Sequence, residues 1–337
     1  MSEILSPTLN NIWRSIVMRG NNVASYKFAL AESLINLVIQ GKSFITLDEL
    51  AIPFSEAICR HIKKVEKQIT NPNPGKLLSA CKAYNSGTIK KEELIQITTK
   101  HAFNDVIDRF HIVNRTDMEK KFYIDERKTN KGLTITDEMF TLEDGFQFQN
   151  FPKELEARWR LVETAWDLNI SPKLLEVEYD DSLEYLNINR LDDKIFRRTP
   201  VTSCKDALNG YQQGKCFYCL HKISVKENSE YLAEVDHFFP HFLKKNQLQV
   251  NLDGVWNLVL ACKSCNRGTN GKSSKIPARI FLYNLNERNN WLISSHHPLK
   301  ETIINQTGTT TEKRRKFLNH IYEKVIKLFP YSQWYPK

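Results

Sequence analysis

The sequence contains no long apolar run. None of its segments approaches the ~18 consecutive apolar residues that a membrane-spanning helix needs, so we expect no membrane span. The first twenty residues also lack the basic start and the apolar stretch of a secretory signal. Glycine and proline occur only 12 times each among 337 residues, which excludes collagen-like and low-complexity architectures. These absences predict a soluble, cytoplasmic protein.

The composition is that of a chain with a substantial core. Hydrophobic residues make up 41% and aromatic residues 11% of the sequence, too much for a disordered chain. A length of 337 residues corresponds to about two domains of ordinary size. The acidic segment 171–196 becomes basic at Arg197, so we predict domains at 1–195 and 196–337.

The charge of the chain is unevenly distributed. From Arg197 to the last residue there are 22 Lys and Arg against 10 Asp and Glu, whereas the preceding residues contain 26 and 29. The whole positive excess therefore lies in the second predicted domain. Such a distribution is typical of a protein that binds a polyanion, most often a nucleic acid. A lysine-rich solvated surface is the alternative.

Apolar residues recur at helical spacing in both predicted domains. The helical segments are 24–40, 47–69, 91–110, 153–167, 276–292 and 312–328. Alternating polar and apolar residues around 130–132 predict a β-hairpin in the first domain. The expected fold class is therefore α+β, with a mostly helical N-terminal domain that contains a small hairpin.

Four of the seven cysteines form two C-x-x-C pairs. These pairs are Cys216 with Cys219 and Cys262 with Cys265, and the other three cysteines are scattered singly. An odd total without a secretory signal argues against a disulfide framework. Two pairs supply the four thiolates of a tetrahedral zinc site. Because the four cysteines complete the coordination sphere, the predicted zinc ion is structural.

Polar residues of a second kind lie between and beyond the cysteine pairs. Asp236 and His237 end the strand-like segment YLAEVDH, Asn257 begins NLVLAC, and Asn266 directly follows Cys265. This series resembles the HNH nucleases, also called His-Me finger or ββα-metal nucleases. The sub-type it resembles has a ββα motif clasped by a four-cysteine zinc site of treble-clef form. The resemblance covers a core at 214–275, and helices flank it in the predicted second domain.

The resemblance implies a role for each polar residue. His237 would be the general base and Asn257 would hold its imidazole in orientation, so both are predicted catalytic residues. Asp236 and Asn266 would bind the catalytic Mg²⁺ or Mn²⁺. The chemistry agrees, because a neutral imidazole accepts a proton from water near neutral pH and a hard divalent cation prefers oxygen ligands.

Basic and histidine side chains near the motif are candidates for contact with nucleic acid. Arg267 and Lys272 flank two glycines in the segment CNRGTNGK and would bind phosphate. His241 would either contact phosphate or pack within the domain. His221, which follows the first cysteine pair, would support the zinc thiolates or lie on the surface.

The predicted function is a metal-dependent DNA endonuclease, which the resemblance associates with bacterial restriction or anti-phage defence. A ribonuclease of toxin-like type and a non-catalytic zinc-finger module that binds nucleic acid are the alternatives. Residues 1–195 would recognise a DNA site, sense a signal or dock a partner protein such as an ATPase. A homodimer would suit double-strand cleavage.

Overall fold

The computed structural model divides into two compact units, Met1–Pro172 and Lys173–Lys337. The described residues are 8–19, 24–71, 73, 75–113, 115–167, 177–180, 185–192, 195–246, 248, 250–295, 297–330 and 333–336. Helices predominate and the sheets are small, so the predicted α+β class is confirmed. None of the described helices is both long enough and apolar enough to cross a membrane.

The first unit is built from helices and two small antiparallel sheets. Its helices are α1 (Leu9–Arg19), α2 (Tyr26–Val38), α3 (Leu47–Ile62), α4 (Gly75–Asn85), α5 (Lys91–His101), α6 (Phe103–Arg109), α7 (Asp137–Glu143) and α8 (Phe151–Asp167). Its strands are β1 (Phe44–Thr46), β2 (Ile112–Val113), β3 (Thr116–Asp117), β4 (Tyr123–Glu126) and β5 (Gly132–Ile135). The strands pair in the orders β1-β5-β4 and β2-β3. The β4–β5 pair, in which Glu126 opposes Gly132, is the predicted hairpin.

The described residues of the second unit form three further sheets. Its strands are β6 (Val177–Asp180), β7 (Tyr185–Asp192), β8 (Ile195–Ser203), β9 (Glu234–His237), β10 (Leu258–Ala261), β11 (Ile276–Pro277) and β12 (Gln333–Trp334). Its helices are α9 (Cys204–Gln212), α10 (Lys263–Arg267), α11 (Arg279–Ser294), α12 (Lys300–Thr307) and α13 (Thr311–Leu328). Strands β6, β7 and β8 form an antiparallel meander, β9 pairs antiparallel with β10, and β11 pairs parallel with β12.

The core of the first unit is aromatic and aliphatic. Helix α8 contributes Leu155, Trp159, Val162 and Trp166, which occupy one face at helical spacing and are all buried. Helix α3 begins at a capping box, in which the Thr46 side chain accepts a hydrogen bond from the backbone N–H of the third helical residue. These features agree with the helical segments expected at 47–69 and 153–167, apart from the end of the former.

The predicted helix 47–69 is too long at its C-terminal end. Helix α3 stops at Ile62, and the chain beyond it runs beside the segment that precedes α2. There Ala24 forms a β-bridge with Ile69, and the Ser25 backbone N–H donates to the Gln68 carbonyl at 3.0 Å. These contacts join residues more than 40 positions apart, so helical periodicity alone does not indicate where α3 ends. The predicted helix 91–110 is likewise interrupted, at Ala102, between α5 and α6.

The division between the units lies at Pro172, whereas we predicted the boundary at 195/196. The prediction used the change from acidic to basic residues at Arg197. That change falls inside β8, which pairs along its length with β7, so both segments belong to one sheet. Backbone hydrogen bonding, which is independent of the sign of side-chain charge, holds them together.

A buried histidine of α3 lies between two acidic residues of α8. The His61 Nδ1 atom is 2.8 Å from Glu163 Oε2, and its Nε2 atom is 3.0 Å from Glu156 Oε2. Its ring stacks on Trp159 with centroids 3.6 Å apart. Since each ring nitrogen faces a carboxylate oxygen, both must donate, and the ring is an imidazolium. Burial lowers the pKa of His61, but the two carboxylates outweigh it and raise the pKa above its usual value.

This arrangement predicts that stability falls as the pH rises. A histidine whose pKa is raised in the folded state stabilises the fold below its unfolded pKa of about 6.5, and that contribution is lost as the pH passes through the folded pKa. We expect the free energy of unfolding to decrease by up to about 1.4 kcal/mol per pH unit in this range. Urea denaturation between pH 6 and 9 would show this slope in the wild type and a shallower one in His61→Gln. Parallel curves for the two proteins would contradict the assignment.

Candidate metal centre

Four cysteine side chains converge in the second unit. The Sγ atoms of Cys216, Cys219, Cys262 and Cys265 all lie within 4.8 Å of one another, and those of Cys219 and Cys262 are 3.7 Å apart. A tetrahedral zinc ion with Zn–S bonds of about 2.3 Å would hold its sulfur ligands about 3.8 Å apart. None of the four forms a disulfide. The four predicted cysteines are therefore placed to hold a metal ion, and the thiolate set suits zinc.

The first cysteine pair lies on a tight loop after α9. The Cys216 N–H donates to the His221 carbonyl at 2.9 Å, and the Leu220 N–H donates to the Cys216 carbonyl at 3.1 Å. Leu220 has a φ of 61°, in the left-handed region that favours glycine, which shows how sharply the chain turns. The side chain of His221 is exposed, and its backbone carbonyl closes the loop.

The second cysteine pair begins helix α10. Cys262 is the N-cap residue, and its Sγ accepts from the Cys265 N–H at 3.4 Å. The Cys262 backbone N–H in turn donates to the Cys216 Sγ at 3.3 Å, and this hydrogen bond links the two cysteine pairs directly. Burial raises the pKa of the Cys216 thiol to about 11. A bound divalent cation would supply the positive charge that four neighbouring thiolates need.

The β9–β10 hairpin lies between the two cysteine pairs in sequence and carries Asp236. This residue is opposite Val259 in the hairpin and is only 6% exposed. Tyr218, from the first cysteine loop, donates its hydroxyl to Asp236 Oδ2 at 2.6 Å. The Lys272 ammonium lies 3.0 Å from Asp236 Oδ1. Burial raises the pKa of Asp236, and the lysine opposes that effect.

The structure places Lys272, a predicted phosphate contact, in the interior and not at the surface. Its side chain is fully buried, and its Nζ donates to the His237 carbonyl at 2.9 Å in addition to pairing with Asp236. A lysine is rarely buried without a partner, and here the hairpin supplies both a carboxylate and a carbonyl. Lys272 thus holds the end of β9 in place.

Asn257 fixes the two loops beside His237. Its Oδ1 accepts from the Phe239 N–H at 2.8 Å, while its Nδ2 donates to the carbonyls of Phe239 at 3.0 Å and Leu252 at 2.8 Å. The side chain is fully buried. One amide thus joins the chain two residues after His237 to the chain one residue before Asp253. The Asn257 side chain therefore braces the backbone near His237 and Asp253.

His237 lies at the end of β9, beside two further ionisable side chains. Its Nε2 atom is 2.7 Å from His241 Nε2 and 3.3 Å from Asp253 Oδ1, and His241 Nε2 is 3.2 Å from the same oxygen. The other carboxylate oxygen of Asp253 is 2.6 Å from Lys244 Nζ. Burial raises the pKa of Asp253, but His237 and Lys244 outweigh it and lower the pKa to about 2. Asp253 is therefore ionised at neutral pH.

Asn266 and Arg267 meet a different residue of β9. The Asn266 amide donates to Glu234 Oε2 at 2.9 Å, and the Arg267 guanidinium lies 2.6 Å from Glu234 Oε1. The Arg267 side chain is 67% exposed, so it remains available at the surface. Among the described contacts, Asn266 hydrogen-bonds to Glu234 and Asp236 forms an ion pair with Lys272. His237 instead contacts His241 and Asp253.

A catalytic magnesium or manganese ion at Asp236 and Asn266 would have to compete with the residues that already engage Asp236. Carboxylate and amide oxygens are ligands of the right class. However, both carboxylate oxygens of Asp236 are engaged, one by Tyr218 and the other by Lys272. A divalent cation on this carboxylate would lie close to the lysine ammonium, and the repulsion between them in a buried site would be large.

Sequence reasoning missed three residues that complete this region. Tyr218 lies between the two cysteines of the first C-x-x-C pair and Glu234 lies within the strand-like segment, so the sequence pattern singles out neither. Asp253 had a detectable signal, because His237 and His241 are four residues apart and an acidic residue follows in the next loop. Their spacing resembles that of side chains that bind one metal ion.

Comparison with known proteins gave no relative: no family model, no curated protein and no solved structure matches this chain. The features of this unit that bear on function are the four-cysteine cluster, the braced end of β9 and the group around His237.

Proposed function

We propose that this chain is an endonuclease that hydrolyses phosphodiester bonds of DNA in the manner of HNH enzymes. The observation that carries the proposal is the setting of His237. It ends one strand of a hairpin, Asn257 braces the loops beside it, and a zinc-type cysteine cluster joins the loop after α9 to α10. This arrangement holds one imidazole in a fixed position in the same unit as the exposed cations of α10.

His237 is proposed to take the proton from the attacking water. A neutral imidazole at cellular pH accepts such a proton, and a positioned general base contributes about 10²–10⁴-fold to a rate. The Asp253 carboxylate, 3.3 Å from the His237 Nε2 atom, would stabilise the imidazolium that forms. Lys272 and Asn257 keep the ring in place through the backbone carbonyl of His237 and the backbone N–H of Phe239.

The substrate class follows from charge near the site. Lys263, Arg267 and Lys275 lie on or just beyond α10, and all three side chains are exposed. They belong to the part of the chain that carries the whole positive excess. Exposed cations of this kind bind the phosphate backbone without reading sequence. DNA is preferred to RNA because the motif resembles HNH enzymes, and the ribonuclease alternative is an outcome of the test.

The biological setting is proposed on the resemblance alone. An HNH-type nuclease joined to a helical unit suits bacterial restriction or anti-phage defence, with a divalent cation as cofactor. The first unit would then recognise DNA or dock a partner protein such as an ATPase. Its predicted charge balance favours contact with a protein over wrapping a duplex.

Cleavage of supercoiled plasmid tests the proposed function. With Mg²⁺ or Mn²⁺ we expect the wild type to give open-circle or linear DNA, with EDTA we expect none, and His237→Ala should be about 100-fold slower or worse. His320→Ala, which removes an exposed histidine of α13, is the matched control and should cut like the wild type. Zinc content is measured in each sample, so that loss of the structural ion is not mistaken for loss of catalysis.

The remaining outcomes would change either the assignment of His237 or the proposed function. Equal cutting by wild type and His237→Ala would show that His237 is not the base. Cleavage of single-stranded RNA but not plasmid would favour the ribonuclease. Salt-dependent binding of DNA with no cleavage of either substrate would favour the zinc-finger binding module.

A further inference from the structure

Three potential ligand atoms around His237 converge on one point. The His237 Nε2, His241 Nε2 and Asp253 Oδ1 atoms are separated by 2.7, 3.2 and 3.3 Å. Metal–ligand bonds of about 2.0–2.2 Å at angles between 90° and 110° place two ligand atoms about 2.8–3.6 Å apart. The two edges that end at Asp253 Oδ1 lie within this range, and the edge between the two imidazole nitrogens, at 2.7 Å, lies just below it. The two imidazole rings are nearly perpendicular, at 83°.

A hydrogen-bond network among these side chains explains these distances less well than a shared metal ion does. Asp253 Oδ1 is shielded from solvent, and no well-directed hydrogen bond reaches it from any residue that the structure describes. Two imidazole nitrogens nevertheless lie within 3.3 Å of this oxygen. A buried carboxylate oxygen without a directed donor is costly unless a cation satisfies it.

We propose that His237, His241 and Asp253 form a second metal site, separate from the four cysteines, for a borderline divalent ion such as Zn²⁺. Two imidazoles and one carboxylate are a common set of protein ligands for zinc, and three ligands leave further positions to water. Asn257 preorganises the set, because its amide joins the loop that precedes His241 to the loop that carries Asp253. The second site therefore needs no ligand from outside this unit.

An ion at this site would alter the chemistry of His237. It would bind the Nε2 lone pair that the proposed general base needs to accept a proton, so binding of this ion and proton transfer exclude each other. Zn²⁺ should therefore inhibit Mg²⁺-supported cleavage. This consequence rests on the proposed function, whereas the existence of the site does not.

Cobalt titration of the zinc-loaded, full-length protein tests the site directly. We expect one equivalent of Co²⁺ to bind with the d–d absorption of a nitrogen and oxygen site and without a thiolate charge-transfer band. His241→Ala and Asp253→Asn should weaken this binding by about 100-fold or more, because loss of a ligand exceeds the 10–100-fold effect of an outer-shell change. His320→Ala is the matched control, and circular dichroism checks that each variant is folded.

The titration has clear contrary outcomes. The proposal is overturned if the wild type binds no Co²⁺ beyond the cysteine site, or if His241→Ala and Asp253→Asn both bind it as tightly as the wild type does. Asp253→Asn preserves side-chain size, so it keeps the test valid if His241→Ala does not fold.

The inhibition assay separates this proposal from the proposed function. For each protein we measure the rate of plasmid cleavage in Mg²⁺ with and without added Zn²⁺. We expect added Zn²⁺ to lower the rate at least tenfold in the wild type and by a smaller factor in His241→Ala. Binding of Co²⁺ by a protein that never cuts DNA would support the site and refute the nuclease. Cleavage of DNA by a protein that binds no second ion would support the nuclease and refute the site.

Discussion

Replacing Cys265 with serine, or removing zinc with a strong chelator, is expected to unfold the second unit and leave the first unit folded. Structural zinc contributes about 10–16 kcal/mol in small zinc-binding domains, which is comparable to the whole stability of an ordinary domain. The cysteine cluster also joins the loop after α9 to α10, with the β9–β10 hairpin between them. The first unit has its own buried core, which extends from Ile12 to Trp166.

Hydrogen exchange followed by mass spectrometry would measure this effect unit by unit. Peptides from 204–337 should exchange much faster in Cys265→Ser and in the zinc-free protein, whereas peptides from 24–166 should be unchanged. Cys204→Ala is the matched control, because Cys204 is a buried cysteine of the same unit that is not part of the cluster. Equal protection with and without zinc would mean that the apolar core of the second unit is sufficient for its fold.

The sequence predicts the metal cluster well because its signal is local. Two C-x-x-C pairs need only two tight turns, and the structure brings the four sulfurs together as expected. Asn257 directly precedes β10, and its side chain hydrogen-bonds to the two loops beside His237. Where a few neighbouring residues determine the geometry, sequence reasoning is sufficient.

Contacts between distant residues were not predictable in the same way. Lys272 looks like a surface cation in the sequence, and only the pairing of 272 with Asp236 across 36 positions shows that it is buried. Asp253 joins His237 because Asn257 holds two loops together, which no periodicity records. Helix α3 ends at Ile62 for a similar reason, because the residues after it bond to the segment that precedes α2.

The strands of the meander, β6, β7 and β8, also depend on contacts that local sequence does not indicate. Residues 177–203 carry charge of both signs and were assigned to the ends of two domains. Their pairing as β6, β7 and β8 depends on backbone hydrogen bonds between segments of unlike composition. A change in net charge along a sequence is therefore a weak indicator of where one folded unit ends and the next begins.

Lys272→Met is expected to lower the free energy of unfolding by about 3–5 kcal/mol, since it leaves the Asp236 carboxylate buried without its counter-ion. Asp236→Asn should be comparably harmful, because it leaves the lysine ammonium unpaired. The double variant Asp236→Asn, Lys272→Met should be more stable than the two separate losses imply, by at least about 2 kcal/mol. Urea denaturation of the four proteins completes this double-mutant cycle.

Two further measurements test whether Lys272→Met lowers the free energy of unfolding because the ion pair with Asp236 is buried. In Lys272→Met the pKa of Asp236 loses the opposing effect of the lysine, so the folded protein should bind a proton more readily than the unfolded chain. The variant's deficit in stability should therefore shrink as the pH is lowered towards 5. Lys244→Met is the matched control, because Lys244 pairs with Asp253 at 2.6 Å but is 42% exposed, and it should cost at most about 1 kcal/mol. Similar losses for Lys244→Met and Lys272→Met would show that burial is not the cause. A cycle without coupling would show that Lys272 acts through its hydrogen bond to the His237 carbonyl and not through Asp236.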